Sequence, residues 1–304
     1  MTLAWACLIH VLLLLGLPPL LLGIITRVKS MVAGRRGAPL LQPYRDLLRL
    51  LRKGAVYSTT TTWIFRAGPP VTLAATIVAG CLLPLGTAHA PLAFDGDLVL
   101  FAYLLGLGRF MTMAAALDTG SSFEGMGASR EAAVGALAEP ALFLVLGTLV
   151  VATQHLSLAT IFATLSTGGA GSPALLLCAA ALGAVLLAEN ARLPVDDPST
   201  HLELTMLHEV MVLDHCGPDL ALIEYGSAMK LLVTAALFVG VLRPSALLQP
   251  FGLVFGVSAV AVLIGVVESV MARLRLPRVK QFLIGATTLA AVALAAQLFV
   301  LGAA

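Results

Sequence analysis

Acidic residues and histidines are concentrated in one connection of the chain, between residues 192 and 225. This segment holds seven of the sixteen acidic residues and three of the six histidines, against a single arginine. Carboxylates and imidazoles titrate when they are partly buried, so a series of them can pass protons. The pattern predicts proton transfer, with the candidate groups Asp196, Asp197, His201, Glu203, His208, Glu209, Asp214 and Glu224.

Metal chemistry is the competing interpretation of this connection. A zinc protease needs the pattern HExxH, but Val212 stands where the second histidine after His208-Glu209 would have to be. His201, His208 and His215 follow one another at intervals of two helical turns, which is too far apart for joint chelation of one ion on a helix. The four cysteines match no ligand spacing either, so we expect no metal centre bound by this chain.

We expect a helix within this connection. Asp197 followed by Pro198, or Thr200 with Glu203 as a capping box, could begin it. Gly217-Pro218 would stop it. The alternative to a proton-transfer role is a structural one. In that case Glu203 only caps the helix, and the histidines only lie on its exposed polar side.

Several charged residues fall inside or at the ends of apolar segments. Arg109 lies about half-way along one of them, where an ionised group costs several kcal/mol unless it is paired or hydrated. It is therefore either a structural ion pair or a functional group. We expect Lys230 to extend its ammonium group to the membrane surface. The other groups of this kind are Glu131, Glu139, Glu189 and Glu268, and the first three are further candidates for the proton path. Glu131 and Glu139 lie about 80° apart on a helix and should not share one stripe.

The first long connection carries nine basic residues, and its segment GRRGAPLLQPYRDLLRLLRK predicts a short amphipathic helix. Its leucines alternate with arginines, so one side can lie on lipid while the other meets headgroups or a protein. Anchoring of the membrane topology by positive charge is the simpler explanation. A docking surface is the alternative, and its candidate residues are Arg35, Arg36, Tyr44, Arg45 and Arg49.

The elements that position these groups are membrane helices. Of the 304 residues 59% are hydrophobic and 11% charged, whereas soluble domains average about 25% charged residues. A spanning helix needs about 20 apolar residues. Eight segments qualify, at 3–25, 69–88, 98–117, 132–153, 173–191, 226–242, 251–270 and 282–301. The apolar stretch 155–165 is too short and predicts an interfacial helix outside the membrane. The fold prediction is one all-α membrane domain, with amphipathic and loop helices on its cytoplasmic side.

Lysine and arginine orient this bundle. Fifteen of the eighteen basic residues fall in alternate connections on one side. By the positive-inside rule that side is cytoplasmic, which puts both termini outside and makes the chain a multi-pass membrane protein.

Two segments resemble a known family, subunit 1 of respiratory complex I and its relatives in membrane-bound nickel–iron hydrogenases. RRGAPLLQPYRDLLRLL is similar to the family's first-loop motif, and RLPVDD with HLEL and IEYG is similar to its acidic loop. On that match Asp196 is the motif aspartate, Glu203 the last glutamate of the cluster and Glu224 the closing glutamate. Glu131 is similar to the glutamate that opens the fourth span. Ser199 and His201 depart from the complex I pattern, and VDDPSTHLELTMLHEVMVLDH looks like the hydrogenase branch, of the hydrogenase-4 component C and formate hydrogenlyase subunit 4 type.

The resemblance implies a non-catalytic membrane subunit of an oxidoreductase complex, which docks a soluble module and couples it to ion translocation. The nickel–iron centre and iron–sulfur clusters would lie in partners: hydrogenase large and small subunits, an iron–sulfur subunit, and antiporter-like membrane subunits. The resemblance also implies a location in a bacterial or archaeal plasma membrane, and it implies no nucleic acid. The alternatives are a quinone-site subunit of an NADH dehydrogenase-like complex, a secondary transporter, which the missing internal repeat argues against, and a purely structural anchor.

Overall fold

All regular structure described for this chain is helical. The structure is a computed structural model, and it describes residues 3–168, 173–196 and 208–303. Its helices are α1 (Leu3–Gly16), α2 (Pro18–Val32), α3 (Gln42–Leu51), α4 (Trp63–Leu82), α5 (Asp97–Asp118), α6 (Ser122–Thr153), α7 (Leu158–Gly168), α8 (Pro173–Glu189), α9 (Gly217–Leu242), α10 (Pro244–Leu247), α11 (Pro250–Val270) and α12 (Leu276–Ala303), with a short 3₁₀ helix at Glu209–Val212. The predicted all-α membrane fold is confirmed.

The apolar helices can be compared with the eight predicted spans. Within the described ranges, α4, α5, α6, α9, α11 and α12 are each long and apolar enough to cross a membrane. The pair α1 and α2 meets that criterion as one span bent by 44°. The remaining predicted span, 173–191, corresponds to α8, which has 17 residues and lies at the short end of the usual range of about 17–25. The 11-residue α7 is too short to cross, as expected for the stretch 155–165.

Four helices begin earlier than the apolar pattern predicts, at Trp63, Ser122, Gly217 and Leu276 rather than at 69, 132, 226 and 282. The added turns carry polar residues, which give no apolar signal. The expectation that Gly217-Pro218 stops a helix is wrong: Pro218 occupies the first turn of α9, where its missing N–H costs nothing. Residues 208–216, just before it, form turns and the 3₁₀ helix rather than an α-helix.

The connections with most of the charge meet at one end of the bundle. Asp118 at the end of α5 accepts hydrogen bonds from the backbone and hydroxyl of Thr62, just before α4. The N–H of Asp214 donates to Glu124 at the start of α6, at 3.1 Å. The N–H of Leu274 donates to the carbonyl of Pro194, at 2.9 Å. We call this end, formed by residues 33–62, 119–121, 190–196, 208–216 and 271–275, the charged face.

The opposite face has its own connections. The N–H of Gly86, after α4, donates to the carbonyl of Leu247 in α10, at 2.9 Å. The buried carboxylate of Asp97 accepts from the N–H of Leu158 and the hydroxyl of Ser157, which caps the start of α7. Between the two faces α9 is the central helix: it packs against α2, α4, α8 and α11.

The bend between α1 and α2 releases three backbone carbonyls, and two of them are bonded by tyrosines. Pro18 and Pro19 have no N–H, and the N–H of Leu20 bonds to Leu17 rather than to Gly16. The carbonyls of Leu14, Leu15 and Gly16 therefore lack helical donors. Tyr225 of α9 donates its hydroxyl to the carbonyl of Leu15 at 2.7 Å, and Tyr44 of α3 donates to that of Gly16. Two tyrosines thus fasten the bend to the amphipathic helix and to the centre of the bundle.

Replacing either tyrosine by phenylalanine leaves one of these carbonyls unpaired. Tyr44→Phe and Tyr225→Phe should each reduce the stability of the chain by about 1 kcal/mol, the usual net value of such a hydrogen bond. The measurement is the thermal unfolding midpoint of the purified chain in detergent. Tyr103→Phe is the matched control, because Tyr103 is exposed and its described contact is an aromatic one with Phe143. Equal midpoints for all three variants would contradict the fastening role.

Candidate functional site: a line of ionisable groups

Arg109 of α5 is surrounded by carboxylates from two other helices. Its guanidinium contacts Glu139 of α6 at 2.5 Å and Glu131 of α6 at 3.5 Å, and it pairs with Glu189 of α8. Glu131 and Glu139 were expected on different stripes of one helix, yet both reach Arg109. A long planar guanidinium with five donors can bridge groups that do not share a stripe.

Space for this arginine comes from a glycine. A Cβ atom at Gly135 of α6 would lie 2.5 Å from Arg109 Nη1 and 3.0 Å from its Cδ. Gly135 lies one helical turn from both Glu131 and Glu139, so α6 supplies the opening and two of the partners. Nothing in the sequence alone singled out this glycine.

Lys230 of α9 extends the cluster. Its ammonium group lies 2.9 Å from the second oxygen of Glu189, so the expectation that it would extend to the membrane surface is wrong. Glu189 is thereby held between two cations, and its side chain is only 2% exposed. Among the described residues the cluster joins three carboxylates, Glu131, Glu139 and Glu189, to two cations. It has one more carboxylate than it has positive charges, so it can hold one proton.

A small cavity adjoins these groups. It has a volume of about 40 Å³, and Arg109, Glu131 and Lys230 line it together with His208 and His215. One water molecule needs about 10–15 Å³, so the cavity has room for about three. The remaining polar lining consists of hydroxyl groups, from Thr72, Thr76, Thr112 and Ser227.

His208 connects this cavity to the charged face. It also lines a second cavity of about 50 Å³ with Glu189, Arg192 and Lys230. A cleft of about 260 Å³ follows, which His208 shares with Glu209 and the exposed Glu224. Glu224, Glu209, His208, Lys230, Glu189 and Arg109 therefore form one line, from the surface to the middle of α5.

Asp196 fixes the position of His208. The N–H of His208 donates to Asp196 at 3.1 Å, and the same carboxylate pairs with Arg273 at 2.9 Å. Burial lowers the pKa of the His208 imidazole to about 4, with nearby Lys230 and Arg192 acting in the same direction and Asp196 opposing them. Burial also lowers the pKa of His215, which stacks on Phe65 with 3.9 Å between the ring centroids. Both imidazoles are thus neutral at pH 7, and each can accept a proton.

Other predicted groups lie elsewhere. Glu268 of α11 pairs with Lys29 at 2.9 Å and with Arg192 at 3.3 Å, so it ties helices together at the charged face and does not join the Arg109 cluster. The side chain of Asp214 is exposed. Asp197, His201 and Glu203 lie outside the described residues. Three residues that the sequence analysis did not predict hold these groups in place. Arg192 pairs with Glu268, Arg273 pairs with Asp196, and Glu124 accepts the N–H of Asp214.

The predicted docking residues divide into two groups. Arg35, Arg36, Arg45 and Arg49 are exposed on the charged face. Tyr44 is instead half-buried, and its hydroxyl bonds to the bend of the first span. Among the described residues no group of three or more histidine, cysteine, aspartate or glutamate side chains is placed to hold a metal ion.

Glu189 should be the group on which the stability of the cluster most depends. Glu189→Gln leaves Lys230 without the carboxylate it pairs with and removes the most deeply buried partner of Arg109, so it should cost about 3–5 kcal/mol, as expected when one partner of a buried ion pair is removed. Glu139 contacts the same guanidinium, but its side chain is 46% exposed, so Glu139→Gln should cost about 1 kcal/mol or less. Thermal unfolding of the two variants in detergent compares them directly. An equal loss for both would mean that Glu189 is not the central partner.

The burial of His208 predicts a loss of stability in acid. The unfolded histidine takes up a proton near pH 6.5, whereas the folded one does so only near pH 4. Between these values the unfolded chain binds more protons, so stability should fall as the pH drops from about 6.5 to about 4. His208→Gln removes this contribution and should make the unfolding midpoint less dependent on pH in that window. The same slope in both proteins would contradict a neutral, half-buried His208.

Comparison with known proteins shows where this chain belongs. The family model described as NADH dehydrogenase matches residues 4–301. Hydrogenase-4 component C of Escherichia coli (strain K12) is 36% identical over 239 residues, covering 79% of this chain and 73% of that protein. Formate hydrogenlyase subunit 4 of the same strain is 33% identical over 282 residues, covering 88% and 90%.

Solved structures include the same fold. A chain from the membrane-bound sulfane sulfur reductase, described as an archaeal respiratory membrane complex, superposes with a TM-score of 0.82. It is 22% identical, and the match covers 96% of this chain and 99% of that one. The match of the family model over nearly the whole length, together with two relatives above 30% identity, shows that this chain belongs to the NADH dehydrogenase family, the family of complex I subunit 1.

Proposed function

We propose that this chain is the membrane subunit of a multisubunit energy-converting hydrogenase, in which it docks a soluble electron-transfer module and passes protons toward other membrane subunits. Both relatives are named as components of larger enzymes, hydrogenase-4 and formate hydrogenlyase. The observation that carries the proton-transfer part is the line of charged groups from Glu224 to Arg109. On this proposal the nickel–iron centre and the iron–sulfur clusters belong to the hydrogenase large and small subunits and an iron–sulfur subunit.

The charged face is the proposed docking surface, and it faces the cytoplasm. Basic residues are concentrated there, as the positive-inside rule requires, and the termini then lie outside. Exposed Arg35, Arg36, Arg45 and Arg49 suit an acidic partner. Such pairing speeds association and weakens as salt is added.

Coupling follows from electrostatics. A change of charge in the docked module alters the proton affinity of carboxylates and imidazoles near it, and the effect is larger where the local dielectric constant is low. Glu209 belongs to that surface, and it shares a cleft with the exposed Glu224. His208 and the cavity beside Arg109 then carry the change inward, because each group is within reach of the next directly or through a few water molecules.

Glu139 is the proposed exit of the line. Its carboxylate is 46% exposed on the outer surface of the bundle, half-way along α6. An ionised group facing lipid at that depth is costly. An adjoining membrane subunit, of the antiporter-like kind, would cover this carboxylate and take the proton from it.

A quinone-site subunit is the second candidate, and one feature favours it. An apolar hollow of about 310 Å³ lies between α1, α2, α3 and α9, lined by residues such as Leu15, Tyr44 and Leu222. The cavity beside Arg109, at about 40 Å³, is far smaller than the roughly 300–1,000 Å³ that ligand pockets occupy. Proton pumping driven by hydrogen formation in quinone-depleted vesicles would favour the hydrogenase role, and its loss there would favour the quinone role.

The test of the proton line uses vesicles that contain the assembled complex. Glu189→Gln and Glu139→Gln should lower the number of protons translocated per hydrogen formed to near zero, because an amide cannot carry the proton. Glu268→Gln is the matched control: Glu268 is equally buried and also pairs with two cations, but it lies off the line. If all three variants behave alike, the chain is a structural anchor and the proton line is disproved.

A further inference from the structure

A deep groove lies on the face opposite the charged face, where the proposed function uses nothing. It has a volume of about 820 Å³ and runs between the end of α9, the short helix α10 and the first half of α11. Its walls are aromatic and aliphatic: Phe251 is 90% exposed and Phe255 is 77% exposed. We propose that this groove binds one anionic phospholipid of the adjoining leaflet, with the acyl chains along α11 and the phosphate at Arg243.

The depth of the groove fits one leaflet. Its lining extends along α11 from Phe251 to Leu263, which are twelve residues apart. At about 1.5 Å per residue this is roughly 18 Å. The hydrocarbon core of a bilayer is about 30 Å thick, so one leaflet contributes about 15 Å. An acyl chain that starts at the membrane surface would therefore end near the bottom of the groove.

The polar groups of the groove lie together at one end. Arg243, Ser245 and Gln249 are all exposed, and all belong to the connection between α9 and α11. The lining from Phe251 to Leu263 is entirely apolar. A polar end at the membrane surface and an apolar length beneath it match a phospholipid. A transmembrane helix of a partner would need no such concentration of polar groups at one end.

Arg243 provides the charge that selects an anionic headgroup. It is the basic residue that departs from the one-sided distribution of charge, and within the described ranges it makes no ion pair with a carboxylate. A guanidinium can hold a phosphate with two parallel hydrogen bonds. The aromatic rings of Phe251 and Phe255 then border the acyl chains below it.

The floor of the groove is formed by close helix packing. A Cβ atom at Gly252 would lie 2.7 Å from the carbonyl oxygen of Ala246 in α10. One at Gly256 would lie 2.7 Å from Val239 of α9. These contacts hold α11 against α9 and α10, so the groove is a fixed depression of the surface rather than a gap between loose helices.

The test uses the assembled complex, purified in detergent and stripped of lipid. It is then incubated with mixed micelles of phosphatidylglycerol or phosphatidylcholine that have the same acyl chains. Bound lipid is counted by native mass spectrometry. The wild-type complex should bind phosphatidylglycerol about fivefold more tightly than phosphatidylcholine, since one basic residue near an anionic headgroup contributes about 1 kcal/mol.

Two variants separate the headgroup from the acyl chains. Arg243→Gln should abolish the preference for phosphatidylglycerol, whereas Arg278→Gln, which removes an exposed arginine in the first turn of α12, should keep it. Ala259→Phe places a ring in the groove without touching the core, because Ala259 is exposed, and should reduce the binding of both lipids.

Three results would overturn the proposal. The wild-type complex could bind both lipids equally, or Arg243→Gln could keep the preference. A photo-reactive phenylalanine analogue at position 255 could cross-link to another polypeptide of the complex rather than to lipid. The last result would assign the groove to a partner helix.

Discussion

The pairing of Arg109 with Glu189 constrains the architecture more than any other interaction. A guanidinium in the middle of a membrane helix is costly unless carboxylates surround it, and here they come from α6 and α8. Lys230 adds α9 to the same cluster. These four helices must therefore meet at one level of the membrane, and Gly135 must stay small to leave space for the arginine. Apolar packing surrounds this cluster, but the charges determine which helix faces which.

The charged face and the cluster form one polar system. The early starts of α4, α6, α9 and α12 lie at that face, so polar turns project from the bundle and hold the connections in place. Residues 208–216 run back between them, fixed by Asp196 and Glu124. This path places His208 beside the cavities that Lys230 also lines. A loop that ran along the surface would leave His208 in water. The opposite face carries little charge, and there Arg243 is exceptional.

The sequence predicts the membrane class, the apolar segments and the charged face, because each depends on composition over many residues. The sequence also identifies Arg109, Glu189 and Lys230 as unusual charged residues, but it does not predict that they contact one another. Arg109 and Glu189 are 80 residues apart, and the choice of partner depends on the rotation and depth of whole helices. Gly217-Pro218 shows that a short motif alone does not predict a helix boundary, because the same pair can end one helix or begin another. Here a long apolar segment follows the pair, and α9 begins at Gly217.

The number of charges distinguishes a relay from a structural clamp. Apolar side chains of similar size often replace a closed buried ion pair without loss of stability, so stability alone is a weak reason to keep one. Among the described residues this cluster is not closed, because three carboxylates share two cations. The excess carboxylate can bind a proton and release it when the field changes, and the adjoining cavity gives that proton a path. A clamp needs neither the third carboxylate nor the cavity, whereas a relay needs both.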